Sequence, residues 1–160
     1  MSRRPSTRYV PRSPPARRAR PLAATPEAAS PLSRLLLVFL GSGLGGVLRL
    51  LLAAGLQARA GPSFPWGTLA VNVVGCLALG AFLGVRERTL LLGSGSWLFL
   101  GTGLCGGFTT MSTFSLETLA LLRDREWLYA AANVSLSLAV CLAATAVGLL
   151  AVRLATALPR

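Results

Sequence analysis

The stretch Gly101–Glu117 gathers residue types that an ordinary apolar span avoids. Gly101, Gly103, Gly106 and Gly107 fall within seven residues, and Thr109-Thr110-Met111-Ser112-Thr113 follows at once. Glycine and hydroxyl side chains at this density predict a helix interrupted at Gly106-Gly107, with backbone carbonyls left without an intrahelical partner. Such a break is tolerated at membrane depth only where it is buried in protein or lines a wet or ion-filled space. Past it, Thr110, Thr113 and Glu117 share one helical face, and Met111 and Phe114 share a neighbouring one. Glu117 is the one carboxylate inside a predicted span, so it should face protein or water rather than lipid.

The same inventory argues against an enzyme. The 160 residues include no histidine and five carboxylates, so acid/base or metal catalysis has few players. Cys76, Cys105 and Cys141 lie far apart and form no Cys-x-x-Cys pair, and read as small structural residues.

The elements that must position these residues are membrane helices. Hydrophobic residues make up 53% of the chain and charged residues 13%, at a mean hydropathy of +0.63, which leaves too little polar surface for a soluble domain. An all-α membrane protein with four transmembrane helices is expected, with spans at about 35–56, 67–85, 97–122 and 128–154 and a break in the third. Residues 34–155 form the membrane domain and 156–160 a short C-terminal tail. Trp66, Trp97 and Trp127 stand at span starts, where aromatic belts form.

Residues 1–33 form a disordered tail rich in arginine and proline. Eight of the sixteen arginines fall in the first 34 residues, and six of the ten prolines precede Ser30. The tail reads as a cytoplasmic, positive-inside segment drawn to anionic membrane lipids. Only Tyr9 is interleaved with its arginines, so no nucleic acid is expected.

Within the spans, polar and small residues repeat at helical spacing. Gly41, Gly45, Gly46 and Arg49 mark a small face on the first helix. Arg49 reads equally as a functional charge or as a side chain that snorkels to the interface. Thr68, Asn72, Cys76, Gly80 and Gly84, with Gly75 beside them, mark the second; Asn133, Ser137, Cys141 and Thr145 mark the fourth. Asn72 reads as an interhelical bond or as a contact for a permeating species. So many polar faces exceed what one small bundle can satisfy, which points to a partner subunit and a permeation path.

Four motifs in order resemble the Fluc (CrcB) fluoride channels: Gly-Ser-Gly-Leu-Gly-Gly-Val-Leu-Arg (41–49), Gly-Thr-Leu-Ala-Val-Asn-Val-Val-Gly (67–75), Gly-Gly-Phe-Thr-Thr-Met-Ser-Thr-Phe-Ser-Leu-Glu (106–117) and Asn-Val-Ser-Leu-Ser (133–137). The resemblance covers about Leu35 to Leu154. It implies an antiparallel, dual-topology dimer of four-helix subunits with two fluoride pores and a structural sodium ion at the dimer centre. The backbone carbonyls of Gly106 and Thr109 from both subunits would hold that sodium, as hard cations take oxygen ligands.

The family's paired pore phenylalanines fall on Met111 and Phe114, so this chain keeps one aromatic per subunit. Ring edges carry partial positive charge and approach an anion as it sheds water, and the methionine methyl end retains a weaker version of that character. By the same resemblance Asn72 offers an amide donor to fluoride, Ser112 and Thr113 add hydroxyls, and Asn133 and Ser137 lie along a polar track. Arg49 matches a vestibule arginine that raises local anion concentration. Glu117 matches the family's glutamate, assigned a vestibule or structural place.

The resemblance implies passive export of fluoride through the plasma (inner) membrane, and so fluoride resistance. A small dual-topology multidrug-type exporter would carry its essential carboxylate in the first helix, where this chain has Arg49. A non-conducting membrane adaptor would use the stripes for helix association alone.

Charge placement adds an expectation about partners. With the amino terminus inside, twelve arginines lie on one side against Arg59, Arg123 and Arg125 on the other; without the tail before Arg34 the balance is five against three. A subunit that inserts in both directions should carry little bias. The dimer is therefore expected to be a homodimer or, given the bias, a heterodimer with an oppositely biased paralogue.

Overall fold

The computed structural model describes residues 30–88 and 91–157. The expected tail up to residue 29 and residues 158–160 lie outside the described residues. Within them the chain is all-helical: α1 (Pro31–Ala60), α2 (Trp66–Arg88), α3 (Ser94–Trp97), a π-helical segment (Leu98–Cys105), α4 (Gly106–Phe108), α5 (Met111–Arg123) and α6 (Trp127–Ala157). Three helices, α1, α2 and α6, are long and apolar enough to cross a membrane by length and composition.

Local chemistry sets the ends. Ser30 caps α1, its hydroxyl accepting from the Ser33 N–H at 3.2 Å, and Pro31 opens the first turn, where its missing N–H costs nothing. The helix thus starts before the expected residue 35. It closes past 56, at Gly61, whose φ of 86° suits only glycine without strain. Gln57 then clamps the α1–α2 turn: its side-chain Nε2 donates to the Gly61 and Phe64 carbonyls at 2.6 and 2.9 Å, and Oε1 accepts from the Gly67 N–H at 3.0 Å.

The third segment departs from the sequence reading. Gly106-Gly107 stay helical, and the interruption falls at Thr109–Thr110, with φ/ψ of −82°/155° and −146°/112°. The glycines serve close approach instead. A Cβ on Gly107 would meet the Ser42 backbone, and a Cβ on Gly41 or Gly45 would meet the backbone of residues 99–108. Gly46 has only Arg49 of its own helix nearby, so it takes no part in this contact.

The glycine contacts also define direction. Gly41 meets Phe99 and Leu104, and Gly45 meets Leu104 and Phe108, so α1 runs parallel to the third segment. Gly80 meets Thr145 and Gly84 meets Val152, so α2 runs parallel to α6. One end of the bundle is marked by Arg153 paired with Glu87 at 2.6 Å and by Arg86 over the Trp97 ring at 4.7 Å. At the other end Phe64 packs on Trp66 and meets Tyr129 edge-on. Trp66 and Trp127 open α2 and α6 at this second end, and Trp97 lies at the first.

The interior is small and the exterior large. Gly41 and Gly45 are the buried residues of α1, while Leu35, Phe39, Leu50 and Leu51 on the same helix are each more than 60% exposed. Leucine gains nothing by leaving lipid, whereas glycine lets backbones touch, so this inversion suits a membrane bundle.

Gly148→Val places bulk against the Leu77 carbonyl and should cost about 1–3 kcal/mol, as overpacking does. Gly43→Ala meets nothing within 4 Å and should leave stability unchanged or slightly raised. Thermal unfolding of the two variants in detergent checks the contrast.

Candidate functional site

The site is built on the break. In an unbroken helix the Thr110 N–H would donate to the Gly106 carbonyl; here it donates to Asn72 Oδ1 on α2 at 2.7 Å. Asn72 Nδ2 returns the bond to the Thr110 carbonyl at 3.2 Å. One side-chain amide therefore satisfies both backbone groups of a buried extended residue, an obligation that a water-free interior cannot waive. Gly75, one turn further along α2, lacks the Cβ that would strike the Thr109 methyl and the Phe108 ring.

Thr110 also starts α5. Its Oγ1 accepts from the Thr113 N–H at 3.2 Å and donates to Thr113 Oγ1 at 2.9 Å. Before the break, the Thr109 N–H and hydroxyl both return to the Cys105 carbonyl, at 2.9 and 3.0 Å. The broken ends are thus held by three threonines and one asparagine.

Two further joints fix α5. Thr68 of α2 donates to Glu117 Oε1 at 2.8 Å, while Glu117 Oε2 is buried with no hydrogen-bond partner among the described residues. On α6, Asn133 Nδ2 donates to Thr118 Oγ1 at 2.9 Å, and the Thr118 hydroxyl donates to the Phe114 carbonyl at 2.7 Å. Ser137 donates to Asn133 Oδ1 at 3.4 Å. A chain of polar groups runs from α6 to the backbone that carries Phe114.

A groove of about 450 Å³ lies between α2, the third segment and α6. It brings together Asn72, Gly106, Thr109, Met111, Phe114 and Ser137 of the residues singled out from sequence. Met111 is 69% exposed and Phe114 only 8%, so the two side chains that share a helical neighbourhood differ in environment. Five other candidates do not line this groove. Ser112 is exposed, Thr113 is engaged with Thr110, Asn133 is fully buried between α5 and α6, Glu117 faces Thr68, and Arg49 lies half-buried on α1.

Sequence reasoning missed the central part of Thr110 and Thr118. Thr110 carried a local signal, a hydroxyl residue with Thr113 three positions on, which is the spacing of an N-cap. Thr118 carried none, because its bond to the Phe114 carbonyl is one that any helical threonine can make and its partner Asn133 becomes a neighbour only through the α5–α6 hairpin.

A family model described as CrcB-like protein, Camphor Resistance (CrcB), matches residues 36–149. The chain belongs to the CrcB family. Similar CrcB-family relatives include the Fluoride-specific ion channel FluC of Geobacter sulfurreducens, 45% identical over 122 residues, covering 76% of this chain and 98% of that protein. The Fluoride-specific ion channel FluC 2 of Rhodopseudomonas palustris is 48% identical over 121 residues, covering 74% and 92%. That of Opitutus terrae, named Fluoride-specific ion channel FluC, is 46% identical over 119 residues, covering 73% and 90%. The matched CrcB region holds all of the residues assembled above.

Asn72→Ala should lose both bonds to Thr110 and about 2–6 kcal/mol of stability, because it leaves two buried backbone groups unpaired at about 1–3 kcal/mol each. Amide hydrogen exchange should accelerate at residues 109–111 in this variant. In Asn133→Ala the acceleration should fall on α5 and α6 instead.

Proposed function

We propose that this chain is a fluoride-specific ion channel that lets fluoride leave the cell passively and so confers fluoride resistance. CrcB-family membership and the fluoride specificity named for its relatives support the ion. The observation that carries the site assignment is that Asn72, Met111, Phe114 and Ser137 line one groove beside the broken helix. A channel of this kind forms no covalent intermediate, so the chain acts as a transporter and not as an enzyme.

In this reading the segment from Ser94 to Arg123 crosses the membrane as a fourth, broken span, and two copies pack antiparallel in the plasma membrane. The groove, open on one side of the single chain, becomes an enclosed path when a second subunit covers it. Fluoride sheds water against the Phe114 ring edge, with the Met111 methyl end in place of a second ring. Asn72 keeps one amide hydrogen beyond the bond to Thr110 and offers it to the ion. Ser137 lies on the opposite wall with its hydroxyl donating to Asn133 Oδ1, and Asn133 positions that wall through Thr118. Ser112 and Thr113 stabilise the start of α5, Arg49 draws anions towards a vestibule, and Glu117 secures α5 on α2.

A sodium ion fits the break. The Gly106 carbonyl is not taken by the Thr110 N–H, a Cβ at Gly106 would meet nothing within 4 Å, and Gly106 and Thr109 both line the groove. Their carbonyl oxygens suit a hard cation, which would supply a fixed positive charge at the dimer centre.

One end of the bundle holds Arg34, Arg86, Arg88 and the Arg153–Glu87 pair; the other holds Arg59, Arg123 and Arg125 with Asp124 and Glu126. The excess at the first end favours a cytoplasmic tail bound to anionic lipids, and with it a heterodimer with an oppositely biased paralogue over a homodimer.

Efflux from proteoliposomes, followed with a fluoride electrode, tests the activity: fluoride should leave and chloride should not. Phe114→Ala should slow efflux about five- to tenfold, the equivalent of the roughly 1–1.5 kcal/mol carried by a good aromatic contact. Absence of efflux from the folded chain, with or without a co-expressed paralogue, would overturn the channel reading in favour of an adaptor. Reporters fused to the carboxyl terminus should signal from the cytoplasmic side alone; equal signals from both sides would exclude a fixed orientation.

A further inference from the structure

The register of α2 on α6 brings together two thiols that the fluoride path does not use. Gly80 packs against the Thr145 backbone so closely that no Cβ fits, and Gly148 meets Leu77 in the same way. Because the helices run parallel, one turn earlier on each places Cys76 opposite Cys141. The two cysteines thus face each other across the α2–α6 contact, and both line the same groove. Both side chains are half-buried, free and on the wall of the groove, hence reachable from it. Cys105 also lines the groove but is 4% exposed.

We propose that Cys76 and Cys141 form a two-coordinate site for a thiophilic divalent heavy-metal ion. Thiolate sulfur is a soft ligand and selects soft cations. Among the described residues no group of three or more histidine, cysteine or acidic side chains is placed to hold one ion, so the pair offers two sulfur ligands and not the four that zinc prefers. Charge favours a divalent ion over a monovalent one. Each thiol releases its proton to water and forms one sulfur–metal bond, so two thiolates and a divalent cation sum to zero, the least costly outcome in a low-dielectric interior. Nothing is oxidised or reduced.

The probe is Hg²⁺ added to the purified full-length chain in detergent, with bound metal and remaining free thiols counted together. One Hg²⁺ should bind tightly and remove two thiols, and Cys105→Ser should leave that result unchanged. Cys76→Ser and Cys141→Ser should each weaken binding on the order of a hundredfold, the advantage of a second linked contact. Serine is nearly isosteric with cysteine, and the paired alanine variants guard against loss of folding. One thiol lost per metal, or undiminished binding in Cys141→Ser, would overturn the site. The influence on transport rests on the channel reading and is scored apart: with Hg²⁺ bound as expected, proteoliposome efflux should fall, and unaltered efflux would remove the groove from the fluoride path while leaving the metal site intact.

Discussion

The paired hydrogen bonds between the Asn72 amide and the Thr110 backbone are the constraint on which the site depends. An extended residue inside a helix leaves its own N–H and carbonyl unmatched, and in an interior without water each such group costs several kcal/mol, about the penalty of burying a bare amide. Asn72 removes that cost with one side chain. The break then becomes a defined structure, which starts α5 at Thr110 and sets Met111 and Phe114 on its first turn.

The rest of the bundle makes this contact possible by closeness. Glycines at 41, 45, 103 and 107 bring α1 against the third segment, and glycines at 80, 84 and 148 bring α2 against α6. Helices that touch backbone to backbone have little freedom to slide. Short side chains such as Asn72, Thr68 and Asn133 can therefore bridge between helices, where longer ones would be needed across a leucine-filled gap. Packing and polar bonding are in this sense one device.

Much of this was legible in the chain itself, and the failures are specific. Helical spans followed from hydropathy, and the family followed from four ordered motifs, because both are local patterns. That the third segment breaks was also legible, from glycine and hydroxyl density. Where it breaks was not. Glycine at 106–107 suggested local weakness, yet those residues remain helical because Gly107 is needed against Ser42, and the chain opens at Thr109–Thr110 because Asn72 binds there from 38 residues away. The same holds for Glu117 and Thr68, 49 residues apart, and for Asn133, expected along the polar track and found bonded to Thr118 of α5. Spacing along one helix reveals a shared face; it does not say which neighbour that face meets.

The break at Thr109–Thr110 has one more consequence, in the field it creates. Aligned peptide groups leave about half a positive charge at a helix's start and about half a negative charge at its end. The run from Ser94 to Phe108 finishes in carbonyls, and α5 begins in amide N–H groups after an intervening two residues. A single interruption thus sets opposite partial charges back to back, one suited to a cation and the other to an anion, without an ionised side chain having to be carried into lipid. An uninterrupted helix of the same composition would cancel both.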